Sequence, residues 1–138
     1  MFFVDANIFL ELLLGQERAD ECERFLRLVH KGRLRAVTTD FHVDTVIIVM
    51  ENHGLSPADI RTFLLSLLSY EGLEIYILSM ADRLEATKHM ESLKLDFDDA
   101  LAYQAMLTLN TRDIVSYDKH FDGLPGIRRI TPAQILQG

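Results

Sequence analysis

The run Phe2-Phe3-Val4, ending in Asp5, constrains the fold of this chain more than any other stretch. Successive apolar residues without alternation predict a short strand buried on both faces, as in a parallel sheet covered by helices. Such a strand excludes an unpaired charge from its interior. Asp5 is therefore expected at the carboxyl end of the strand, where open α/β sheets form their ligand crevices, and its ionised form needs a metal ion or hydrogen-bond donors. A second reading stands beside this one: Asp5 or Asn7 caps a helix carrying Ile8, Leu10 and Leu12 to Leu14.

The pattern downstream supports the parallel sheet. Arg18 to Lys31 places Cys22, Phe25, Leu26 and Val29 on one side, an amphipathic helix that stops at Gly32. Leu34 to Thr38 reads as a strand. Thr39 to His53 is rich in β-branched residues, yet Thr39 as a cap, Asp40 in the first turn and Asn52-His53-Gly54 as a stop predict a helix. Ser56-Pro57 opens another, running to about Tyr70. Leu73 to Leu78 is the next strand, and Ser79 with Asp82 forms a capping box for a helix to about Leu93. A helix from Asp96 to Asn110, a strand over Asp113 to Ser116, a weak strand over Gly126 to Ile130 and a helical turn after Thr131-Pro132 complete the chain. Strands separated by helices imply parallel pairing, because a parallel pair needs a crossover. The expected class is α/β, three layers with a parallel sheet of four to five strands.

At 138 residues the chain fits one domain, 1–138, with a real core and no evident linker. A single cysteine, Cys22, rules out an internal disulfide framework, and its acidic neighbours Asp20, Glu21 and Glu23 disfavour a thiolate. No basic segment precedes an apolar run at the N-terminus, and the longest near-apolar run, Phe63 to Leu68, is far too short for a membrane span. A cytoplasmic location with no membrane partner is expected. The net charge of −7 opposes non-specific attraction to nucleic acid. Basic clusters at Lys31-Gly32-Arg33-Leu34-Arg35 and Arg128-Arg129 run against that trend, although a solvated face is their ordinary fate.

The carboxylates Asp5, Asp44, Asp99 and Asp118 fall at comparable places. Asp5 and Asp118 follow apolar strands, while Asp44 and Asp99 sit in the first turns of helices. Strand ends and helix starts share one rim of a parallel sheet, so these groups are placed to meet. Asp99 shares a helix face with Ala102, Tyr103 and Met106, and Asp44 shares one with Ile47, Ile48 and Glu51, so both are expected to point toward the sheet. Two carboxylates about 4 Å apart repel by about 4 kcal/mol at an effective dielectric near 20. A cation or a shared proton relieves that. Oxygen donors without cysteine favour Mg²⁺ or Mn²⁺ over zinc. The plain alternatives are a helix cap for Asp99 with Asp96, and a solvated surface acid for Asp44. The histidines His30, His42, His53, His89 and His120 show no metal-pair spacing and read as surface or structural, with His120 the one placed to touch a substrate.

Nearly the whole chain resembles the PIN domain family, and especially its VapC-like toxin ribonucleases. The matching pieces are Val4-Asp5-Ala6-Asn7, Thr39 through Asp44, Phe97 through Ala102, Val115 through Phe121 and Ile130-Thr131-Pro132. The resemblance implies a Mg²⁺- or Mn²⁺-dependent endoribonuclease that hydrolyses RNA phosphodiester bonds with a metal-activated water. It also implies a homodimer neutralised by a cognate antitoxin. Asp5, Asp44, Asp99 and Asp118 would form the catalytic and metal-binding cluster, with Asn7 and Ser116 as hydrogen-bonding support. The family usually has Glu where this chain has Asp44, and Glu51, two turns further on, is a poor substitute. Asp98 points roughly 100° away from Asp99; Asp96 and Asp122 are candidates for an outer shell.

Two rival readings remain. A phosphohydrolase of the HAD type would use Asp5 as nucleophile but requires a second Asp where Asn7 stands. A catalytically degenerate PIN module that binds RNA or a protein partner is the other, motivated by Asp44 and the acidic net charge. The helix face Phe63 to Tyr70 is more apolar than a surface helix needs, which fits core packing or a surface for a dimer or antitoxin.

Overall fold

The expected apolar runs become the strands of a single parallel sheet, and the capped segments between them become helices. The computed structural model describes residues 1–138. In chain order the elements are β1 (Phe2–Val4), α1 (Ala6–Leu13), α2 (Ala19–His30), β2 (Ala36–Thr39), α3 (Asp40–Asn52) and α4 (Pro57–Leu68). They continue with β3 (Leu73–Tyr76), α5 (Met80–Leu93), α6 (Phe97–Leu109), β4 (Asp113–Val115), a 3₁₀ turn (Lys119–Phe121), β5 (Arg128–Ile130) and α7 (Pro132–Gln137). The 5-stranded sheet has the order β3-β2-β1-β4-β5, with every pair parallel. The chain thus builds outward from β1 to β3 on one side, then crosses back to lay β4 on the other side of β1. That reversal places a topological switch point between the carboxyl ends of β1 and β4, the position at which open α/β sheets bind their ligands.

Helices cover both faces, as β1 requires. Val4 and Ala36 belong to a core shared with α1, α2, α3 and α4, including Phe9, Phe25, Leu26, Met50 and Phe63. Phe3, Val37 and Ile114 turn to the opposite face and pack with α5 and α6, among them Leu101 and Met106. Register explains the split, since Phe3 lies opposite Val37 in β2 and Ile114 in β4, and neighbours at one level of a parallel sheet share a face.

Local chemistry settles the segments that the pattern left open. The β-branched stretch is helical as expected: Thr39 Oγ1 accepts the His42 backbone N–H at 3.1 Å and caps α3. The capping boxes Ser56/Asp59 and Ser79/Asp82 start α4 and α5, and a further one, Thr131/Gln134, makes the final turn a helix in its own right. Differences are confined to ends: β2 begins at Ala36 rather than Leu34, and β3 stops at Tyr76, leaving Ile77 exposed. The apolar face of α4 divides. Phe63 and Leu67 enter the core, whereas Leu64, Leu65 and Leu68 are exposed, Leu68 by 85%, so core packing accounts for only part of it.

One glycine fastens the amino-terminal end of the sheet. Gly72 donates its N–H to Val29 O at 2.9 Å and accepts from Ala36 N at 2.8 Å. A Cβ there would stand 2.2 Å from Leu34 O and 2.7 Å from Val29 O, both backbone atoms that cannot swing away. Gly72→Ala is therefore expected to destabilise the fold by about 2 kcal/mol or more, measured as a lowered midpoint in urea denaturation; an unchanged midpoint would contradict this close approach.

Candidate active site

Asp5 leaves β1 where the strand runs out of partners, and it is both a helix cap and a buried carboxylate at the rim. Its Oδ1 accepts the Ala6 N–H at 2.8 Å, which starts α1, and its Oδ2 accepts the Ser116 hydroxyl at 2.7 Å. The two readings of Asp5 as cap and as rim carboxylate are thus compatible. Only 8% of the residue is exposed. Burial pushes its pKa up to about 6, against the lowering effect of the Ser116 and Ala6 donors, with Asp118 and Asp98 adding repulsion.

Ser116 joins the two strand ends. Fully buried after β4, it donates to Asp5 and accepts the Asp118 N–H at 3.0 Å. Its carbonyl also receives Arg129 Nη1 at 3.3 Å. The Asp118 carboxylate in turn caps the 3₁₀ turn by accepting the His120 N–H at 2.9 Å. On the other side of β1, Thr38 Oγ1 donates to Val4 O at 3.0 Å and pins the same end of the strand.

Asp99 comes to this rim from the first turn of α6, with 6% of its surface exposed. Burial first, then repulsion from Asp98, Asp118 and Asp5, together raise its carboxyl to about 7 against the opposing hydrogen bond from His120. The His120 Nδ1 lies 3.4 Å from Asp99 Oδ2 and 3.2 Å from Asp118 Oδ1. Those carboxylates, Asp118 foremost, hold the imidazole above its usual pKa. Ligand atoms of Asp99, Asp118 and His120 lie within 4.8 Å of one another, and those of Asp96, Asp98 and Asp99 do likewise. Asp99 belongs to both groups. The donors are mainly carboxylate oxygens, buried on Asp99, half-buried on Asp118 and exposed on Asp96 and Asp98, a chemistry that suits a hard divalent cation. Asp99 with Asp118, or Asp99 with Asp98 and Asp96, are the residues whose oxygens lie close enough to hold one; Asp5 is in neither group, its two oxygens engaged by Ala6 and Ser116, and it acts on Asp99 through repulsion.

Not every expected residue joins them. Asp44 is exposed, and the expectation that it points toward the sheet is corrected. The buried face of α3 is His42, Val46 and Met50, and a residue two positions from any of these lies roughly 200° around the helix. Ile48, 56% exposed, shares Asp44's solvent side. Asn7 is also exposed and makes no hydrogen bond to the carboxylates. Asp122 is taken by Arg129, which grips it through Nε and Nη2 at 2.8 and 3.1 Å.

His42 is a buried residue that the reading of histidines did not single out. Its Nδ1 is 2.6 Å from Thr39 Oγ1, and its ring meets Phe3 and Phe41 edge-on. Burial pushes it down to about 4, against the opposing pull of Asp98 and Asp40, so it is neutral and structural near pH 7. The signal was available: a histidine three residues after a threonine cap places its ring back over the cap.

A family model, PIN domain, matches residues 2–127 of this chain. No curated protein sequence matches it. Among solved structures, the toxin–antitoxin complex from Klebsiella pneumoniae contains a chain that is 16% identical, with a TM-score of 0.72, covering 96% of this chain and 98% of that one. Mycobacterium tuberculosis VapC20, described as a sarcin–ricin loop cleaving toxin, is 15% identical with a TM-score of 0.73, covering 93% of this chain and 99% of that one.

The raised carboxyls have a consequence for stability. With Asp5 at about 6 and Asp99 at about 7 in the fold against 3.8 in the open chain, the folded state holds more protons between those values. Stability without metal therefore falls as pH rises through that window. His42, held at about 4 in the fold, works in the opposite direction up to its open-chain value of 6.5 and offsets only part of the two carboxyls' effect. In EDTA, thermal or urea unfolding at pH 5 is therefore expected to require more denaturing conditions than at pH 8, and the Asp5→Asn/Asp99→Asn double variant should abolish or reverse that difference. A stability that rises from pH 5 to pH 8 in EDTA would contradict the burial of these groups.

Proposed function

Because this chain belongs to the PIN domain family, we propose that it is a Mg²⁺- or Mn²⁺-dependent endoribonuclease, the toxin of a toxin–antitoxin pair. The observation that carries the reading is the convergence of Asp5, Asp99 and Asp118 on the rim at the carboxyl ends of β1 and β4, where two of them are buried and electrostatically strained. Asp5, Asp99 and Asp118 are the proposed metal-binding residues, and Ser116 the residue that orients Asp5. A bound divalent ion would supply Lewis-acid polarisation of a phosphate oxygen and a lowered pKa for adjacent water.

The remaining roles belong to the chain. Hydrolysis forms a bond from water oxygen to phosphorus and breaks the bond from phosphorus to the leaving ribose oxygen, which ends protonated. Ser116 keeps Asp5 Oδ2 engaged, so that Asp5 presents a fixed carboxylate rather than a mobile one. His120, with 68% of its side chain exposed beside Asp99 and Asp118, would as the imidazolium that these carboxylates favour donate Nδ1–H toward them and Nε2–H to a phosphate oxygen of the substrate. The helices on both faces of the sheet confine access to the rim.

A cognate antitoxin protein, a homodimeric state and a cytoplasmic location complete the proposal. The solved relative in a toxin–antitoxin complex and the exposed Leu64, Leu65 and Leu68 on α4 support a protein partner. No helix is long and apolar enough to cross a membrane. The alternative reading, a module that binds RNA or protein without cutting, is favoured by one observation: Asp44 lies out in solvent, which leaves the cluster without the acid that the family resemblance puts there.

Cleavage assays separate the two. Asp5→Asn and Asp99→Asn are each expected to lower RNA cleavage on the order of 100-fold or more while leaving the circular dichroism spectrum unchanged. EDTA should abolish cleavage and Mn²⁺ restore it, and Asp44→Ala should stay within about threefold of the parent. Undiminished cleavage by Asp99→Asn, or metal-independent cleavage, would sink the nuclease assignment.

A further inference from the structure

The amino-terminal rim of the sheet, opposite the acidic rim, gathers cations that the nuclease reading leaves unused. Lys31, Arg33 and Arg35 lead into β2, Arg112 leads into β4 and Arg128 opens β5. All are exposed. Strand pairing sets them side by side: Ala36 lies opposite Phe2 and Phe2 opposite Asp113, so Arg35 and Arg112 flank the start of β1 at one level. Two strand spacings make that separation roughly 10 Å. Arg128, opposite Asp113, stands one strand further out and one residue along, and lines a shallow depression with Arg112, Asp113, Gly126 and Ile127.

Four of these five charges are unpaired within the molecule. Asp113 pairs with Arg128 at 3.1 Å, but no carboxylate stands within ion-pair distance of Lys31, Arg33, Arg35 or Arg112. The acid nearest the loop, Glu71, lies against Gly32 without pairing to either neighbour. In a chain of net charge −7, a row of unpaired cations is the reverse of what composition favours. The row is also held still. Arg33 N and Leu34 N both donate to Leu28 O, Phe2 N donates to Arg35 O at 3.0 Å, and Arg128 N donates to Arg112 O at 2.7 Å.

We propose that this amino-terminal rim is a second docking surface for the RNA backbone, where Arg33, Arg35 and Arg112 hold phosphates distant from the scissile bond. The choice of polyanion rests on the nuclease reading. Guanidinium groups match phosphate geometry through paired donors. Met1, and Leu68 and Leu107 at the carboxyl ends of α4 and α6, are exposed at this end of the molecule, but the row itself is guanidinium and ammonium, so it is charge complementarity that selects a polyanion. The two rims are separated by the length of a three-residue strand, roughly 10 Å. The edge position of β5 leaves a path between them around one side of the sheet.

The test is fluorescence anisotropy of the full chain with a labelled oligouridine RNA of about 30 nucleotides, in EDTA, over about 50 to 300 mM salt. Without divalent ions the acidic rim repels RNA, so binding reports the basic rim. The Arg33→Gln/Arg35→Gln/Arg112→Gln variant is expected to bind at least about tenfold more weakly at about 0.1 M salt, with a log–log salt slope shallower by about 2. A control of equal charge change on exposed helices, Arg24→Gln/Arg61→Gln/Lys88→Gln, should stay within about twofold of the parent. Equal losses in both variants, no loss in either, or no binding by the parent overturns the proposal. So does capture of polyglutamate in place of RNA, which would assign the rim to an acidic protein. Mn²⁺-dependent cleavage measured alongside separates the two readings. Cleavage without rim-dependent binding leaves the nuclease standing and removes the surface, whereas rim-dependent binding without cleavage does the converse.

Discussion

Burial of like charges at one edge of the sheet is the constraint on which the rest of this molecule depends. A carboxylate removed from water is costly unless something stabilises its ionised form, and Asp5 and Asp99 are both removed from water within one another's field. The chain supplies part of the compensation through Ser116 and the Ala6 N–H, which together satisfy both oxygens of Asp5. It does not supply enough, since both groups titrate well above the ordinary carboxylate range. The shortfall marks the place where an external cation gains most.

The order of strands explains why the shortfall falls there. Had β4 been added beyond β3, its end would lie several strands from Asp5, and Ser116 could not reach it. Placing β4 against β1 puts Val4 opposite Val115, so the next residues, Asp5 and Ser116, emerge as neighbours. The hydrogen bond between them spans 111 residues of sequence and 2.7 Å of space. The site is therefore a product of topology. α6 then delivers Asp99 because its buried face, Ala100 to Met106, is pressed against Phe3 and Ile114, leaving its first turn at the same rim.

Much of this was legible in the sequence, and the reasons for what was not are physical. Asp5 could be read because a charge directly after a doubly buried strand has few places to go. Asp99 could be read because its helix carries small and aromatic residues on the same face. Asp44 was misplaced because α3 is apolar around most of its circumference: Ile47 and Ile48 made an apolar neighbourhood in the pattern, yet packing chose the face of His42, Val46 and Met50. Apolar residues on every side remove the asymmetry from which orientation is inferred. The same ambiguity hid the division of α4, where Leu67 is core and Leu68 is solvent. The basic segments were visible as charge runs, but only strand register could show that Arg35 and Arg112 meet across β1.

The choice of counter-charge at the acidic rim bears on what the site is for. A guanidinium directed at Asp5 and Asp99 would neutralise them permanently, lower their pKa values and leave little for a metal ion to gain. Arg129 is close enough to donate to the Ser116 carbonyl, yet its Nε and Nη2 grip Asp122. The cation that does face Asp99 and Asp118 is His120, whose charge is conditional on pH and whose ring is exposed and free to move aside. A fold selected only for stability would prefer the arginine. Turning the permanent charge away and leaving a titratable one in front keeps the carboxylates available to an incoming cation, as the proposed metal-dependent reading requires and a purely structural acidic cluster would not.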